Sequence, residues 1–188
     1  MRVIGGRYKG RRLKAPTWEG LRPTSDRLRE TLFNILAPRV AGARILDGYA
    51  GTGAIGIEAL SRGAAHITFV EKNRRAVALI EENLKTCAVE EGYTIQCADV
   101  VAALDALASA SPERSRGAAF DLILLDPPYA TENVSAVLDA AARHLASDGL
   151  IVLERATRRE PDESAALRRV RDVKSGDSSL SFYVISDH

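Results

Sequence analysis

From Arg44 onward, two kinds of segment alternate along the chain, and they differ in how their hydrophobic and polar residues are spaced. Short apolar runs typical of buried strands are ARILDGY, HITFVE, YTIQCAD, FDLILLD and GLIVLE. Between them lie longer segments with helical spacing of apolar residues: GAIGIEALSRG, RRAVALIEENLKT, VVAALDALA and ENVSAVLDAAARHL. Strands that alternate with helices indicate a mostly parallel sheet covered by helices on both faces. The predicted fold class is therefore α/β.

Two further patterns flank this region. The segment RPTSDRLRETLFNILAP predicts a helix that Thr24 or Ser25 caps and Pro38 ends, with an apolar face of Leu28, Leu32, Phe33, Ile35 and Leu36. Near the other end, LRRVRDVKSGDSSLSFYVIS holds two alternating runs around SGDS, which predicts an antiparallel hairpin that completes the sheet. We expect residues 1–44 to form a basic hairpin and helix appended to a main domain of residues 45–188.

Charge is distributed unevenly along the chain. Up to and including Arg44 there are 11 basic and 3 acidic residues, against 15 and 22 afterwards, or +8 against −7. The first fourteen residues carry six basic side chains and no acid, interleaved with apolar residues that suit a small hairpin. A solvated tail is the alternative. We predict that this segment contacts nucleic-acid phosphates through Arg7, Lys9, Arg11 and Arg12.

Composition also narrows the class of protein. The longest apolar run is far shorter than the roughly 20 residues of a membrane span, and the amino terminus lacks the apolar core of a signal peptide. Cys87, Cys97 and the three histidines have no spacing typical of a metal site or a disulfide framework. We expect a cytoplasmic, monomeric protein with no membrane partner and no metal.

A glycine-rich loop, DGYAGTGAIG (residues 47–56), lies between the first predicted strand and helix, where open α/β sheets bind ligands. It contains G-x-G-x-x-G at Gly51, Gly53 and Gly56. A tight turn is one interpretation, and a dinucleotide site whose backbone N–H groups hold pyrophosphate is another. Here Asp47 precedes Gly51 by four positions. A carboxylate there would repel pyrophosphate but attract an amino-acid ammonium, such as that of S-adenosylmethionine.

Two more acids follow successive predicted strands. Glu71 can accept hydrogen bonds from both hydroxyls of a ribose, and Asp99 can accept from an adenine amine while Val100 packs on the ring. Each alone is an ordinary surface acid about as often as a ligand residue. Three acids at the carboxyl ends of successive strands indicate a ligand-binding edge, although a dinucleotide fold also accounts for Glu71.

The tetrapeptide DPPY follows the apolar run FDLILL. An exocyclic base amine is a poor nucleophile because its lone pair is delocalised into the ring. Asp126 and the carbonyl of Pro127 can each accept one N–H, which localises the lone pair, while Pro127 and Pro128 stiffen the backbone. Tyr129 offers a face on which an extruded base can stack. A proline turn that merely ends a strand is the alternative.

The stretches RVIGGRYKGRRL, LRPTSDRLRETLFNILAP and LDGYAGTGAIGIEALSRGA, together with DPPY, resemble the RsmD family. The resemblance runs from the amino terminus to about residue 155. It implies a class I S-adenosylmethionine-dependent methyltransferase with a Rossmann-like sheet. It also implies methylation of the N2 amine of a guanine in 16S ribosomal RNA of the small subunit. The implied cofactor contacts are Asp47, Gly51, Gly53, Glu71 and Asp99, with the base held by residues 126–129.

Other functions share parts of these motifs. A DNA amino-methyltransferase acting on adenine N6 or cytosine N4 uses the same tetrapeptide, although its usual large target-recognition region is missing here. Carbon-5 methylation of cytosine is disfavoured because Cys87 and Cys97 follow threonine and glutamine rather than proline. A noncatalytic RNA-binding assembly factor with the same fold is the third possibility, against which the intact Asp126 and glycine loop argue.

Overall fold

The computed structural model describes residues 1–18, 24–109, 119–128, 131 and 133–186. Its strands are β1 (Arg44–Gly48), β2 (His66–Val70), β3 (Tyr93–Gln96), β4 (Phe120–Leu125), β5 (Leu145–Ala156), β6 (Leu167–Ser175) and β7 (Ser178–Ile185). The helices within these ranges are α1 (Asp26–Val40), α2 (Ala54–Ser61), α3 (Arg74–Thr86), α4 (Val100–Ser109) and α5 (Val134–Ala142).

The strands form one seven-stranded sheet in the order β3-β2-β1-β4-β5-β7-β6. Strands β1 to β5 are parallel, and β7 lies antiparallel between β5 and β6. The predicted α/β class with a class I methyltransferase sheet and a C-terminal antiparallel hairpin is confirmed. Because the chain moves from β1 outward to β3 and returns to β4 on the other side of β1, the carboxyl ends of β1 and β4 flank the crevice where such sheets bind ligands.

Two apolar clusters cover the two faces of the sheet. Neighbouring residues on a strand point to opposite faces. In β1, Ile45 therefore joins a cluster with α1, α2 and α3, and Leu46 joins a second cluster with α4 and α5. Both side chains are fully buried. Burial on both faces explains why β1, β2 and β4 have nearly continuous apolar sequences.

The basic amino-terminal segment forms a hairpin closed by an antiparallel bridge between Arg2 and Arg12. Its apolar residues Val3 and Leu13 are buried in the same cluster as α1 and α2. The buried carboxylate of Glu58 on α2 accepts hydrogen bonds from the backbone N–H groups of Ile4 (2.7 Å) and Gly5 (2.8 Å). The predicted hairpin is thus docked on the α/β core. The division of the chain at residue 44 stays a prediction.

Helix α1 begins as predicted but ends later. The Ser25 hydroxyl accepts a hydrogen bond from the Leu28 N–H at 3.1 Å, so Ser25 rather than Thr24 is the cap. The expectation that Pro38 ends the helix is wrong, because α1 continues to Val40. A proline in the last turn removes only one backbone hydrogen bond. Burial of Val40 in the core favours the extra residues.

Candidate active site

A cavity of about 490 Å³ opens at the carboxyl ends of β1, β2 and β4. Seven residues singled out from the sequence line it, four of them predicted to hold the methyl donor and three to hold the base. They are Gly51, Glu71, Asp99, Val100, Asp126, Pro127 and Pro128. Tyr129 lies outside the described residues, so its predicted stacking role stays a prediction. The cavity brings together the two halves of the predicted site.

Backbone N–H groups of the glycine loop already have acceptors within the protein. The Gly51 N–H donates to Glu71 Oε2 at 2.9 Å, and the Gly56 N–H donates to Asp47 Oδ2 at 2.9 Å. The Gly53 N–H donates to the carbonyl of Ala50 at 2.7 Å. In a dinucleotide site such groups would face a pyrophosphate. Here two acids of the site and one carbonyl of the loop accept these hydrogen bonds instead.

Two of the loop glycines are required by the backbone and by close packing. Gly53 caps α2 in the left-handed region, with φ of 74°, which side chains other than glycine rarely adopt. A Cβ at Gly56 would lie 2.2 Å from Cε1 of Phe69, so glycine lets α2 pack directly on β2. These constraints explain the G-x-x-G part of the motif without any ligand.

Glu71 and Asp99 each organise the backbone around them. Glu71 Oε1 accepts a hydrogen bond from the Asn73 N–H at 2.8 Å, while its other oxygen holds Gly51. Asp99 Oδ1 accepts from the Val101 N–H at 3.0 Å, at the start of α4. Both acids still line the cavity. Each carboxylate oxygen has a second lone pair with which to accept from a ligand.

Asp47 lies beneath the cavity, away from its lining. It is 2% exposed, and together with Asp126 it lines a small recess beneath the cavity. Burial raises the pKa of Asp47 to about 7, the Gly56 hydrogen bond opposes the rise, and the charge of Glu71 adds to it. Neither Asp47 nor Gly53 is among the residues that line the larger cavity. Their contacts with a cofactor stay predictions.

Asp126 directly follows β4 and is held by hydrogen bonds to β1 and to the segment that precedes α1. Its backbone N–H donates to the Gly48 carbonyl at 3.4 Å, and its Oδ2 accepts from the Thr24 hydroxyl at 3.3 Å. Burial raises the pKa of Asp126 to about 8, and the next largest cause is the charge of Glu154. Pro127 is buried and Pro128 is exposed. The motif therefore presents a carboxylate to the cavity at a defined position.

The lining residues that sequence reasoning did not assign to the site include Trp18, Thr24 (predicted only as a cap), Tyr49 and Glu154. Glu154 could have been found, because it ends the apolar run GLIVLE as Glu71 ends HITFVE. Tyr49 has a positive φ of 65°, and burial followed by the charge of Asp99 raises its pKa to about 12. Trp18 and Thr24 reach the cavity only through tertiary packing, which no local pattern indicates.

The lining of the cavity is predominantly anionic. Among the described residues that line it, four are acids and one, Lys72, is a base; the acids are Glu71, Asp99, Asp126 and Glu154. Within the same described part of the chain, no cluster of three or more acidic, histidine or cysteine side chains could hold a metal ion. No described helix has the length and apolar content to cross a bilayer. The charge of the cavity favours a cationic ligand.

The four basic residues predicted to contact RNA lie on the docked hairpin rather than in the cavity, and all four are exposed: Arg7, Lys9, Arg11 and Arg12. The guanidinium groups of Arg7 and Arg11 lie 5.6 Å and 5.2 Å from the centre of the Tyr8 ring. Arg11 also donates a hydrogen bond to the Cys87 carbonyl. Their RNA contacts stay a prediction.

Comparison with known proteins gives consistent matches. A family model described as Conserved hypothetical protein 95 matches residues 1–184. Bacillus subtilis YlbH is 40% identical over 156 residues, 82% of each chain. Ribosomal RNA small subunit methyltransferase D of Escherichia coli is 40% identical over 129 residues, 69% of this chain and 60% of that protein. The solved structure of Escherichia coli YhhF is similar with a TM-score of 0.81 and 32% identity, covering 98% of this chain and 97% of that one.

Proposed function

This chain belongs to the RsmD family of methyltransferases, and we propose that it methylates the exocyclic N2 amine of a guanine in 16S ribosomal RNA of the small subunit. The methyl donor in this proposal is S-adenosylmethionine. The main observation in support is the cavity. Its lining is mostly acidic, the N–H groups of Gly51 and Gly56 in the glycine loop already donate to acids of the protein, and residues 126–128 lie at the same cavity.

The residues of the cavity fit this donor better than a dinucleotide. S-adenosylmethionine carries a sulfonium and an ammonium and no phosphate, so an anionic lining attracts it and repels pyrophosphate. Glu71 would accept from the ribose hydroxyls and Asp99 from the adenine amine, with Val100 against the ring. Asp47, which holds the Gly56 N–H of the loop, would be the acceptor for the ammonium. When bound, the donor supplies an electrophilic methyl group.

Asp126 would act on the acceptor amine. Its carboxylate accepts one N–H of the amine and the Pro127 carbonyl accepts the other, which draws the nitrogen lone pair out of conjugation with the ring. The carboxylate also stabilises the positive charge that develops on nitrogen, an electrostatic effect that is strong in a buried, preorganised site. The hydrogen bonds to Gly48 and Thr24 hold Asp126 before the base arrives.

The RNA would be held by the basic hairpin. Lysine and arginine contacts to phosphates provide affinity with little sequence information. Because the hairpin is docked on α2 through Glu58, its charges have a fixed position relative to the cavity. Tyr129 would provide the face on which the extruded guanine stacks.

A panel of methyl acceptors tests this proposal. The protein is incubated with labelled S-adenosylmethionine and small ribosomal subunits from cells that lack it, naked 16S RNA, or duplex DNA. We expect label in ribosomal RNA and none in DNA. Label in DNA would favour the alternative that the protein methylates amines of DNA bases. Binding to RNA without any methyl transfer would favour a noncatalytic assembly factor.

A further inference from the structure

Glu154 and Asp126 meet in the cavity because of the sheet register. Strands β4 and β5 are adjacent and parallel, and Leu125 pairs with Leu153. The residue that follows each of these is Asp126 or Glu154, and both side chains line the same cavity and the recess beneath it. Glu154 is only 9% exposed. A hydrogen bond between two carboxyl groups requires a proton on one of them.

The surroundings of the pair supply hydroxyl donors and further negative charge. The Thr24 hydroxyl donates to Asp126 at 3.3 Å, and the Ser178 hydroxyl of β7 donates to Glu154 Oε1 at 2.9 Å. Within the described part of the chain, the charges that act on Asp126 are Glu154 and Asp47 of β1, both acids. Two neighbouring carboxylates in such a poorly hydrated place rarely ionise together, because like charges disfavour the second ionisation.

We propose that Glu154 and Asp126 share one proton, and that Glu154 takes this proton when an amine donates to Asp126. Glu154 is then a positioning residue that acts through Asp126. This inference rests on the proposed function for the identity of the amine, but the sharing of the proton does not.

The movement of the proton conserves charge. In the free protein the pair holds one proton and one negative charge. A bound amine adds N–H donors to Asp126 alone, which favours the ionised form of Asp126. The proton moves from an oxygen of Asp126 to an oxygen of Glu154, and the pair remains at −1. Asp126 can therefore accept a hydrogen bond from the amine in its ionised form, and no neighbouring cation is needed to stabilise that form. The raised pKa of Asp126 agrees with this pairing.

A titration of the ligand-free protein tests the sharing directly. In Glu154→Gln the amide keeps a donor toward Asp126 and an acceptor toward Ser178 but removes the second titrating group. The carboxyl-carbon NMR signal of Asp126, assigned by its loss in Asp126→Asn, reports the midpoint. We expect Glu154→Gln to lower this midpoint by at least one pH unit. The same substitution at exposed Glu81 on α3 should leave it in place. An unmoved midpoint in folded Glu154→Gln would overturn the inference.

The dependence of the methyl-transfer rate on pH tests the positioning role. The wild-type rate should fall as pH rises through about 8, where the pair loses its shared proton. In Glu154→Gln the amide N–H donates at every pH, so this fall should disappear. A fall that persists in Glu154→Gln would contradict the role of Glu154. If the wild-type protein transfers no methyl group at all, the proposed function fails, and the NMR titration still decides whether the proton is shared.

Discussion

At the residue scale, two acids of the site hold the glycine loop in place, and one of them, Glu71, also lines the cavity. Glu71 holds the backbone N–H groups of Gly51 and Asn73, and Asp47 holds that of Gly56. A loop with these bonds already made is preorganised before the cofactor arrives. The same bonds occupy the donors that a pyrophosphate would need. The sequence predicted Asp47 and Glu71 as separate ligand contacts, whereas in the structure both are hydrogen-bonded to the same glycine loop.

Replacement of Glu71 tests the ribose contact. In Glu71→Ala the site loses a buried charged acceptor, so affinity for S-adenosylmethionine should weaken by about 1.5–3 kcal/mol, the range for hydrogen bonds to charged groups. Isothermal titration calorimetry measures this loss, and circular dichroism checks the fold, because the loop also loses two backbone bonds. Glu81→Ala on the exposed side of α3 is the matched control. Unchanged affinity in a folded Glu71→Ala protein would remove Glu71 from the site.

Replacement of Asp126 tests the role of the DPPY carboxylate. Its loss resembles the loss of one oxyanion-hole donor, so Asp126→Ala should lower kcat on the order of 10²–10³-fold, or about 2.7–4 kcal/mol. Asp126→Asn should retain more activity, since its amide oxygen still accepts a hydrogen bond. Single-turnover rates at saturating substrate separate this effect from binding. A fully active Asp126→Ala enzyme would mean that the motif is only a turn.

At the scale of elements, the amino-terminal hairpin is part of the fold as well as a basic surface. Val3 and Leu13 are buried in the core, and Glu58 accepts two of the hairpin's backbone N–H groups. The charge pattern indicated the surface, and the interleaved apolar residues indicated the hairpin. Neither could indicate Glu58, which lies 54 residues from Ile4 in the chain. Deleting the segment would therefore remove two backbone donors from a buried carboxylate, which would keep the Arg62 guanidinium at 2.8 Å as a donor.

Neutralising the hairpin is a cleaner test of RNA binding than deleting it. Replacing Arg7, Lys9, Arg11 and Arg12 with glutamine removes four charges and keeps Val3 and Leu13 in place. If each makes one phosphate contact, the logarithmic salt dependence of RNA affinity should become shallower by about 3, from roughly 0.7 per contact. Filter binding at several salt concentrations measures this. Cofactor affinity should not change, and an unaltered salt slope would favour the solvated-surface interpretation.

Helices and strands with a regular spacing of apolar residues could be predicted from the sequence. Contacts between elements that are far apart in the chain could not. The parallel strands and amphipathic helices follow from periods of 2 and 3.6 residues, which depend on local burial. The end of α1 was mispredicted because tertiary burial of Val40 outweighs the local effect of Pro38. The pairing of Glu154 with Asp126 depends on the β4–β5 register, which no single segment specifies. Asp126 itself was predictable because its motif is contiguous.

At the scale of the whole molecule, the site places two carboxyl groups at the centre of the sheet, where ionisation is unfavourable. Asp47 and Asp126 both have raised pKa values, with burial as the main cause. Ionisation of these two carboxyl groups therefore lowers the stability of the ligand-free protein. A bound cation would offset this cost and stabilise the fold.

The pH dependence of stability tests this charge balance. Because the folded-state pKa of Asp47 is raised from 3.8 to about 7, the folded protein binds more protons than the unfolded chain between these values. The stability that Asp47 contributes is complete below pH 3.8 and is lost as pH rises through about 7. Urea unfolding should therefore show a smaller loss between pH 4 and pH 8 in Asp47→Asn than in wild type. Equal losses in the two proteins would show that Asp47 ionises normally.

The most direct measurement for the whole account is nucleoside analysis of the methylated RNA. Small subunits from cells that lack the protein are incubated with it and labelled S-adenosylmethionine, and the purified 16S RNA is digested to nucleosides. The account predicts that the label elutes as N2-methylguanosine, and that Asp126→Ala yields little of it. Label in another nucleoside, or transfer that is undiminished in Asp126→Ala, would contradict it.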